Sequence, residues 1–278
     1  MRLYRLNKLE KENMFVYHLC RILRYFFICL QNFIFELGAW FRKCGVTSKE
    51  YAALRALNDS HKDEKCFVIA TGPSLTLDDV EKLKGYYTFG MNAVCKLYEK
   101  TDWRPSFYGI QDENVYESLF PILVKEKNKE NIFVSSNIAK QFPNSKVFMK
   151  FPLNSKYNYF DFRYSNKLHV KFCKNAYSKV YDAYSITFSL LQIAIYMGFK
   201  EIYLLGCDCN QKVGQKNHFV DFGHVESDEK LATSKDRNIF SHGKFKEFAD
   251  AMGVKVFNAT RGGQLEVYPR VNLDDVIR

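Results

Sequence analysis

Between about residues 62 and 260, short apolar runs alternate with stretches of helical character, and that alternation limits the folds open to the chain. CFVIA (66–70), YTFGMN (87–92), SFYGIQD (106–112), NIFVSS (131–136), KEIYLLGCD (200–208) and VKVFNAT (254–260) read as strands. LDDVEKLK (77–84), AVCKLYEK (93–100), VYESLFPILVKEK (115–127), SITFSLLQIAIYMG (185–198) and KFKEFADAMG (244–253) read as helices. Strands joined through helices run parallel and are covered on both faces. The expected fold is α/β and Rossmann-like, a mostly parallel sheet over 62–278, preceded by a helical segment within 1–48.

In such sheets ligands sit at the carboxyl ends of the strands. Those ends carry Thr71, Gly72, Pro73 and Ser74, then Asn92, Asp112 and Asp208. Gly72-Pro73-Ser74 is too short for a Walker A loop and lacks GxGxxG spacing, which excludes phosphate clamping by either route. It is expected to present amide donors near a helix start, with Ser74 as cap or phosphate contact. Asn92 has the amide chemistry to bond a base, a ribose or a sugar carboxylate, or to cap a helix. The polar stretch 209–241 is too long for an ordinary connection and reads as a lid.

The N-terminal run from Phe15 to Lys43 is rich in Phe, Leu and Ile, yet its longest stretch free of charge or His, Tyr25 to Phe35, falls short of the about 20 residues a spanning helix needs. On a helical wheel His18, Arg21, Arg24, Gln31, Asn32 and Glu36 gather on one arc. Leu19, Ile22, Leu23, Phe26, Leu30, Phe33, Ile34 and Leu37 form the opposite face. That face either lies on an anionic membrane or packs on the globular domain or on a second copy of the chain. The chain carries a formal charge of +10, and residues 1–45 hold eight Lys or Arg against three Glu. The rest of the surplus is dispersed and no nucleic-acid motif appears, so nucleic acid is not an expected partner. The eight cysteines form no CxxC pair and read as reduced thiols of a cytoplasmic protein.

ATGPSL, GMNAV, RPSFYGIQD and SITFSLLQIAIYMGFKEIYLLGCDC, in that order, resemble the family grouped with the 6-hydroxymethylpterin diphosphokinases, and are also similar to bacterial lipooligosaccharide sialyltransferases. The resemblance covers roughly 64–260 and leaves out the N-terminal helix. It implies Thr71, Gly72, Ser74 and Asn92 as nucleotide contacts and Ser185 or Thr187 near the donor. By the same route 62–278 would be a catalytic domain that moves an acidic sugar, of sialic acid or Kdo type, from a CMP-linked donor to a glycan or lipid-linked acceptor. The basic amphipathic helix within 1–48 adds the expected place, the inner face of the plasma membrane, since a lipid-linked acceptor explains such a helix. The carry-over fails in the lid, because 209–241 contains no Tyr to meet the leaving phosphate; Lys212, Lys216, Lys235 or Arg237 would serve instead.

An imidazole with pKa near 6.5 is suited to take a hydroxyl proton at neutral pH. His224, then His242, is the expected base, with His218 a further candidate and Asp208 beside them. The transfer requires no cofactor, and Mg²⁺ is the ion that Asp112 and Asp208 could share in the other reading, a diphosphokinase using ATP. Cys207 and Cys209 lack a second cysteine pair, so no metal site is expected. A polysaccharide-assembly protein that keeps only the nucleotide-binding shape is the reading outside enzymology.

Overall fold

The computed structural model describes residues 13–159, 167–210, 219 and 228–277. Seven strands form one sheet: β1 (Lys65–Ile69), β2 (Thr88–Met91), β3 (Phe107–Ile110), β4 (Ile132–Ser135), β5 (Met149–Phe151), β8 (Glu201–Leu205) and β9 (Lys255–Asn258). Their order is β5-β4-β3-β2-β1-β8-β9, and every adjacent pair is parallel. A separate short pair, β6 (Leu153–Asn154) and β7 (Val180–Tyr181), is also parallel. The progression outward from β1 to β5 restarts on the other side with β8, so the chain changes direction between β1 and β8. A crevice opens at the carboxyl end of a parallel sheet where the order reverses in this way.

Alternation along the central strands divides the core into two layers. Cys66 and Val68 of β1 pack with Ile202 and Leu204 of β8 on one face. Phe67 and Ile69 pack with Tyr203 and Leu205 on the other. The first layer is closed by α6 (Ile186–Met197), in which every residue except Ile195 is buried. Its polar members are satisfied: Gln192 accepts from the amides of Cys173 and Tyr181 and donates to the carbonyls of Tyr181 and Phe188. Left-handed Gly198 (φ 99°) ends the helix, as the C-terminal turn requires. The opposite layer is closed by α3 (Leu77–Lys82), a 3₁₀ segment (Asn92–Glu99), α4 (Glu113–Leu123) and α8 (Leu273–Val276). The short helices α2 (Ala52–Ala56) and α5 (Ser136–Gln141) complete the flanks.

Two expectations change. The helix expected at 244–253 is α7, which runs Asp228–Ala251, so residues 228–241 of the expected lid are helical. Its sequence is rich in helix formers but has no apolar stripe, and periodicity does not register such a helix. The segment 93–100 is 3₁₀ rather than α.

The N-terminal helix α1 spans Met14–Lys43, and its docking corrects one of the sequence expectations. It meets the domain along its polar arc. Asn154 donates to Asn32 Oδ1 (2.8 Å) and Glu36 Oε1 (3.0 Å), the Tyr181 hydroxyl donates to Glu36 Oε1 (3.0 Å), and Lys179 pairs with Glu36. Farther along, Ser178 Oγ donates to the Ala39 carbonyl, and Arg42 donates through Nε and Nη2 to the Ser178 carbonyl. The apolar face therefore does not pack on the domain: Phe15, Ile22, Phe26 and Phe33 are each more than 60 % exposed.

Candidate functional site

At the reversal point β1 leads into Thr71-Gly72-Pro73-Ser74, and β8 into Gly206-Cys207-Asp208-Cys209. The two extensions stay joined past the strands: the Ala70 amide donates to the Leu205 carbonyl and the Gly72 amide to the Gly206 carbonyl, both at 2.8 Å. Only glycine fits at 72, because a Cβ there would lie 1.9 Å from Asp208 Oδ2 and 2.4 Å from the Gly206 carbonyl oxygen. The Asp208 carboxylate thus rests against bare backbone and accepts from the Ser74 hydroxyl at 2.8 Å. Burial raises its pKa, opposed by the hydrogen bonds from Ser74.

Ser74 is not the helix cap that its position suggested. Thr76 caps α3 in a reciprocal box with Asp79, which satisfies the amides of Thr76 and Asp79. Arg261, just beyond β9, clamps this box from outside, donating to Asp79 Oδ1 (2.6 Å) and Oδ2 (2.5 Å) and to Thr76 Oγ1 (3.0 Å). The loop is thus held by residues remote in sequence, Asp208 and Arg261.

A longer dipole does face the crevice. α6 begins there, with Ser185 as N-cap accepting from the Thr187 amide at 3.3 Å. An α-helix of this length carries roughly half a positive charge at its N-terminus. Tyr184 precedes the cap in a left-handed conformation (φ 71°), its amide held by Asp182 Oδ1 at 2.9 Å. Asn92 at the end of β2 is also left-handed (φ 46°), and its carbonyl accepts from the Tyr108 hydroxyl. Non-glycine residues in this region carry backbone strain of the kind that gathers at ligand sites. Between these groups lies a crevice of about 190 Å³ lined by Thr71, Gly72, Asn92, Ser185, Thr187 and Asp208, and roofed by Ser234, Asn238 and His242 from α7. A cavity of about 370 Å³ opens near Tyr98, Arg104 and Lys125. Arg104 there is already bonded to Glu126 and to two carbonyls, and the lining by Ser106, Tyr108 and Ile132 puts this cavity at the amino ends of β3 and β4 rather than at the carboxyl ends of the strands.

The structure thus brings together Thr71, Gly72, Ser74, Asn92, Ser185, Thr187, Asp208 and His242 of the expected site residues. Pro73 belongs to the same turn without lining the crevice. Asp112 stands apart: it caps α4 by accepting from the amides of Asn114 and Val115. His218 and His224, with Lys212 and Lys216, lie outside the described residues. His242 is fully enclosed, its Nδ1 3.0 Å from the Tyr268 hydroxyl, and burial pushes its pKa down to about 3. At neutral pH it is an uncharged wall of the crevice. Burial likewise raises the thiols of Cys207 and Cys209, the latter to about 12, so neither is poised as a thiolate. Among the described residues no three His, Cys, Asp or Glu side chains converge as a metal cluster. Arg261, Tyr184 and Asn238 went unread in the sequence, although left-handed Tyr184 is signalled only by its place just before a Ser cap.

Residues 46–214 match the family model described as 6-hydroxymethylpterin diphosphokinase MptE-like. No curated protein matches the chain. Among solved structures it is similar to the MAf glycosyltransferase from Magnetospirillum magneticum AMB-1, at 16 % identity and TM-score 0.46, over 81 % of this chain and 38 % of that one. It is also similar to the sialyltransferase CstII from Campylobacter jejuni, solved in complex with the substrate analogue cytidine-5'-monophosphate, at 12 % identity and TM-score 0.41, over 76 % and 85 %. At such values the likeness does not reach the chemistry.

Proposed function

The chain belongs to the 6-hydroxymethylpterin diphosphokinase MptE-like family, and within that family we propose that it is a glycosyltransferase. It moves an acidic sugar from a CMP-linked donor to a lipid-linked glycan precursor at the inner face of the plasma membrane. The observation that carries this reading is the crevice between Gly72 and the α6 N-terminus, where exposed backbone, an amide side chain (Asn92) and a helix dipole face one another. Such a site suits a nucleoside monophosphate: the phosphate lies toward Ser185 and Thr187, and the base and ribose toward Asn92 and Thr71. The resemblance of the GPSL loop to those of sialyltransferases supplies the choice of CMP.

Transfer by a single displacement needs an oriented donor, a base for the acceptor hydroxyl and a neutralised leaving phosphate. The α6 dipole supports the leaving phosphate, joined by Arg237 of α7, whose guanidinium lies 6.0 Å from the centroid of the Tyr184 ring. Asp208, held between Gly72 and Ser74, orients the loop and lines the donor crevice. His224 is the proposed base. A buried imidazole held near 3 accepts protons poorly at neutral pH, which ranks His242 behind it. No metal is needed for these steps.

The second reading, a diphosphokinase using ATP and Mg²⁺, draws support from the family's description. Asp112 is engaged as the cap of α4, which leaves Asp208 as the carboxylate lining the crevice among the described residues, and Mg²⁺ between phosphates typically takes one or two carboxylates. The test is turnover of CMP-sialic acid and CMP-Kdo with lipid-linked glycan acceptors in the presence of EDTA. Release of CMP that requires acceptor supports transfer; release of AMP from ATP and a hydroxymethylpterin, abolished by EDTA, assigns the diphosphokinase instead.

A further inference from the structure

The exposed large apolar side chains of the described residues are concentrated on a single element. Apart from Val46, Leu77, Tyr87 and Val147, all of them lie on α1. The polar edge is spent on Asn154, Ser178, Lys179 and Tyr181, so the opposite face is fixed outward. At 100° per residue, Trp40, Phe33, Phe26, Leu37, Leu23 and Phe27 sweep an arc of roughly 140°. A helix pairing with one copy of itself buries a narrower seam. Spanning is also ruled out for the docked half, because Asn32, Glu36, Ala39 and Arg42 hold it along the surface of the domain.

The polar arc of α1 is basic. Arg21, Arg24, Arg42 and Lys43 stand there against one acid, Glu36, which is paired with Lys179. At the C-terminal end of α1 the Arg42 guanidinium holds the Ser178 carbonyl, and the Ser178 amide donates to Asn175 Oδ1 at 2.9 Å. Asn175 and Lys174 in turn line a cavity of about 390 Å³ whose other cations are Lys62 and Lys200. Lys200 donates to the Met252 carbonyl, while Lys62 and Lys174 pair with no carboxylate among the described residues. The one acid in the lining, Asp59, accepts from Asn58 at 2.7 Å. Two copies of so basic a surface repel each other, whereas an anionic bilayer complements both its parts.

We propose that the outward face of α1 and the Lys62–Lys174–Lys200 cavity form one surface for a bilayer rich in anionic phospholipid. The aromatic face enters the boundary between headgroups and acyl chains, and the cavity takes a headgroup phosphate. This rests on the membrane location in the reading above and is independent of the donor, since lipid binding needs no nucleotide.

The test is flotation of the full chain with vesicles of phosphatidylcholine alone or mixed with phosphatidylglycerol. Binding is expected only with phosphatidylglycerol and weakens as salt rises. Lys62→Gln with Lys174→Gln should lower that binding roughly 30-fold, as expected for two juxtamembrane lysines, with an unchanged melting temperature and unchanged affinity for CMP. Phe26→Ser with Phe33→Ser should abolish it while the protein remains folded. Equal binding to both vesicle types, or a lysine variant that binds as the parent does, overturns the proposal. So does a stable dimer that fails to float and that Phe26→Ser with Phe33→Ser dissolves, or saturation of the cavity by inorganic phosphate without vesicle binding.

Discussion

The crevice and α1 are built on opposite terms. In the crevice nearly every polar group is held by another part of the chain: Gly72 by Gly206, Ser74 by Asp208, Thr76 and Asp79 by Arg261, His242 by Tyr268. What remains open is backbone, the amide side chains of Asn92, Asn210 and Asn238, and a helix end. In α1 the polar groups of the docked half, Asn32, Glu36 and Arg42, are consumed in docking, and the outward face is hydrocarbon. A rigid pocket selects a small ligand by shape and a few directed hydrogen bonds; an apolar face with basic flanks recognises a surface that has no fixed shape. The difference predicts that single substitutions break the crevice and that only combined ones break α1.

The largest effect is expected at the proposed base. His224→Ala should lower kcat by about 10²–10⁴-fold with donor affinity nearly unchanged. A loss confined to KM would instead make His224 a binding residue. Full activity there, with activity lost in His242→Gln, would move the base onto α7.

Gly72→Ala comes next. Its Cβ would fall on Asp208 and Gly206, so the loop must move, at a cost of about 1–3 kcal/mol to folding by denaturant titration and with CMP binding lost. Normal binding in this variant would mean that the loop is not the donor site. Asn92→Ala removes a side chain that lines the crevice, and calorimetry should show CMP binding weakened by roughly 1–3 kcal/mol. Asn92→Gly separates this loss from the left-handed backbone, since glycine adopts that conformation freely.

His242 gives a smaller, graded effect. Its imidazole stays neutral in the fold down to about pH 3, whereas the unfolded chain takes up a proton below about 6.5. Stability from this group is therefore complete above about pH 6.5 and falls by about 1.4 kcal/mol per pH unit below it, until about pH 3. Unfolding curves at pH 7.5 and pH 5 should show this slope in the parent protein and its loss in His242→Gln; equal slopes would contradict a neutral buried imidazole.

The smallest effect is expected from Lys179→Ala, which leaves Glu36 accepting from Asn154 and from the Tyr181 hydroxyl. The Glu36–Lys179 contact is part-exposed, and such pairs contribute at most about 1 kcal/mol. The domain should keep its melting temperature while α1 becomes more sensitive to trypsin at Arg42 and Lys43. A large drop in stability would show that α1 is part of the core and reduce the contrast between the two regions.

How much of this was legible in the sequence follows from the range of the interactions. β1, β8 and α6 were readable because each is a nearly unbroken apolar run, and the crevice residues followed from where those strands end. The first half of α7 was not, because a polar helix without an apolar stripe resembles a loop. The cap of α3 was misplaced by two residues, since Ser74 and Thr76 both have capping chemistry and only the contact between Ser74 and Asp208 decides between them. Arg261 was invisible, for it acts on a turn far back in the chain. The wheel of α1 divided its faces correctly but could not say which one meets the domain, because Asn154, Lys179 and Tyr181 turn a polar arc into the docking edge.

The central claim, that the crevice between the Gly72 loop and α6 holds a cytidine monophosphate, is tested most directly by calorimetric titration of the full chain with CMP and with ATP, each with and without Mg²⁺. The account predicts saturable CMP binding at one site, indifferent to Mg²⁺ and weakened in Asn92→Ala, with ATP silent. Binding of ATP that depends on Mg²⁺, with CMP silent, would contradict it.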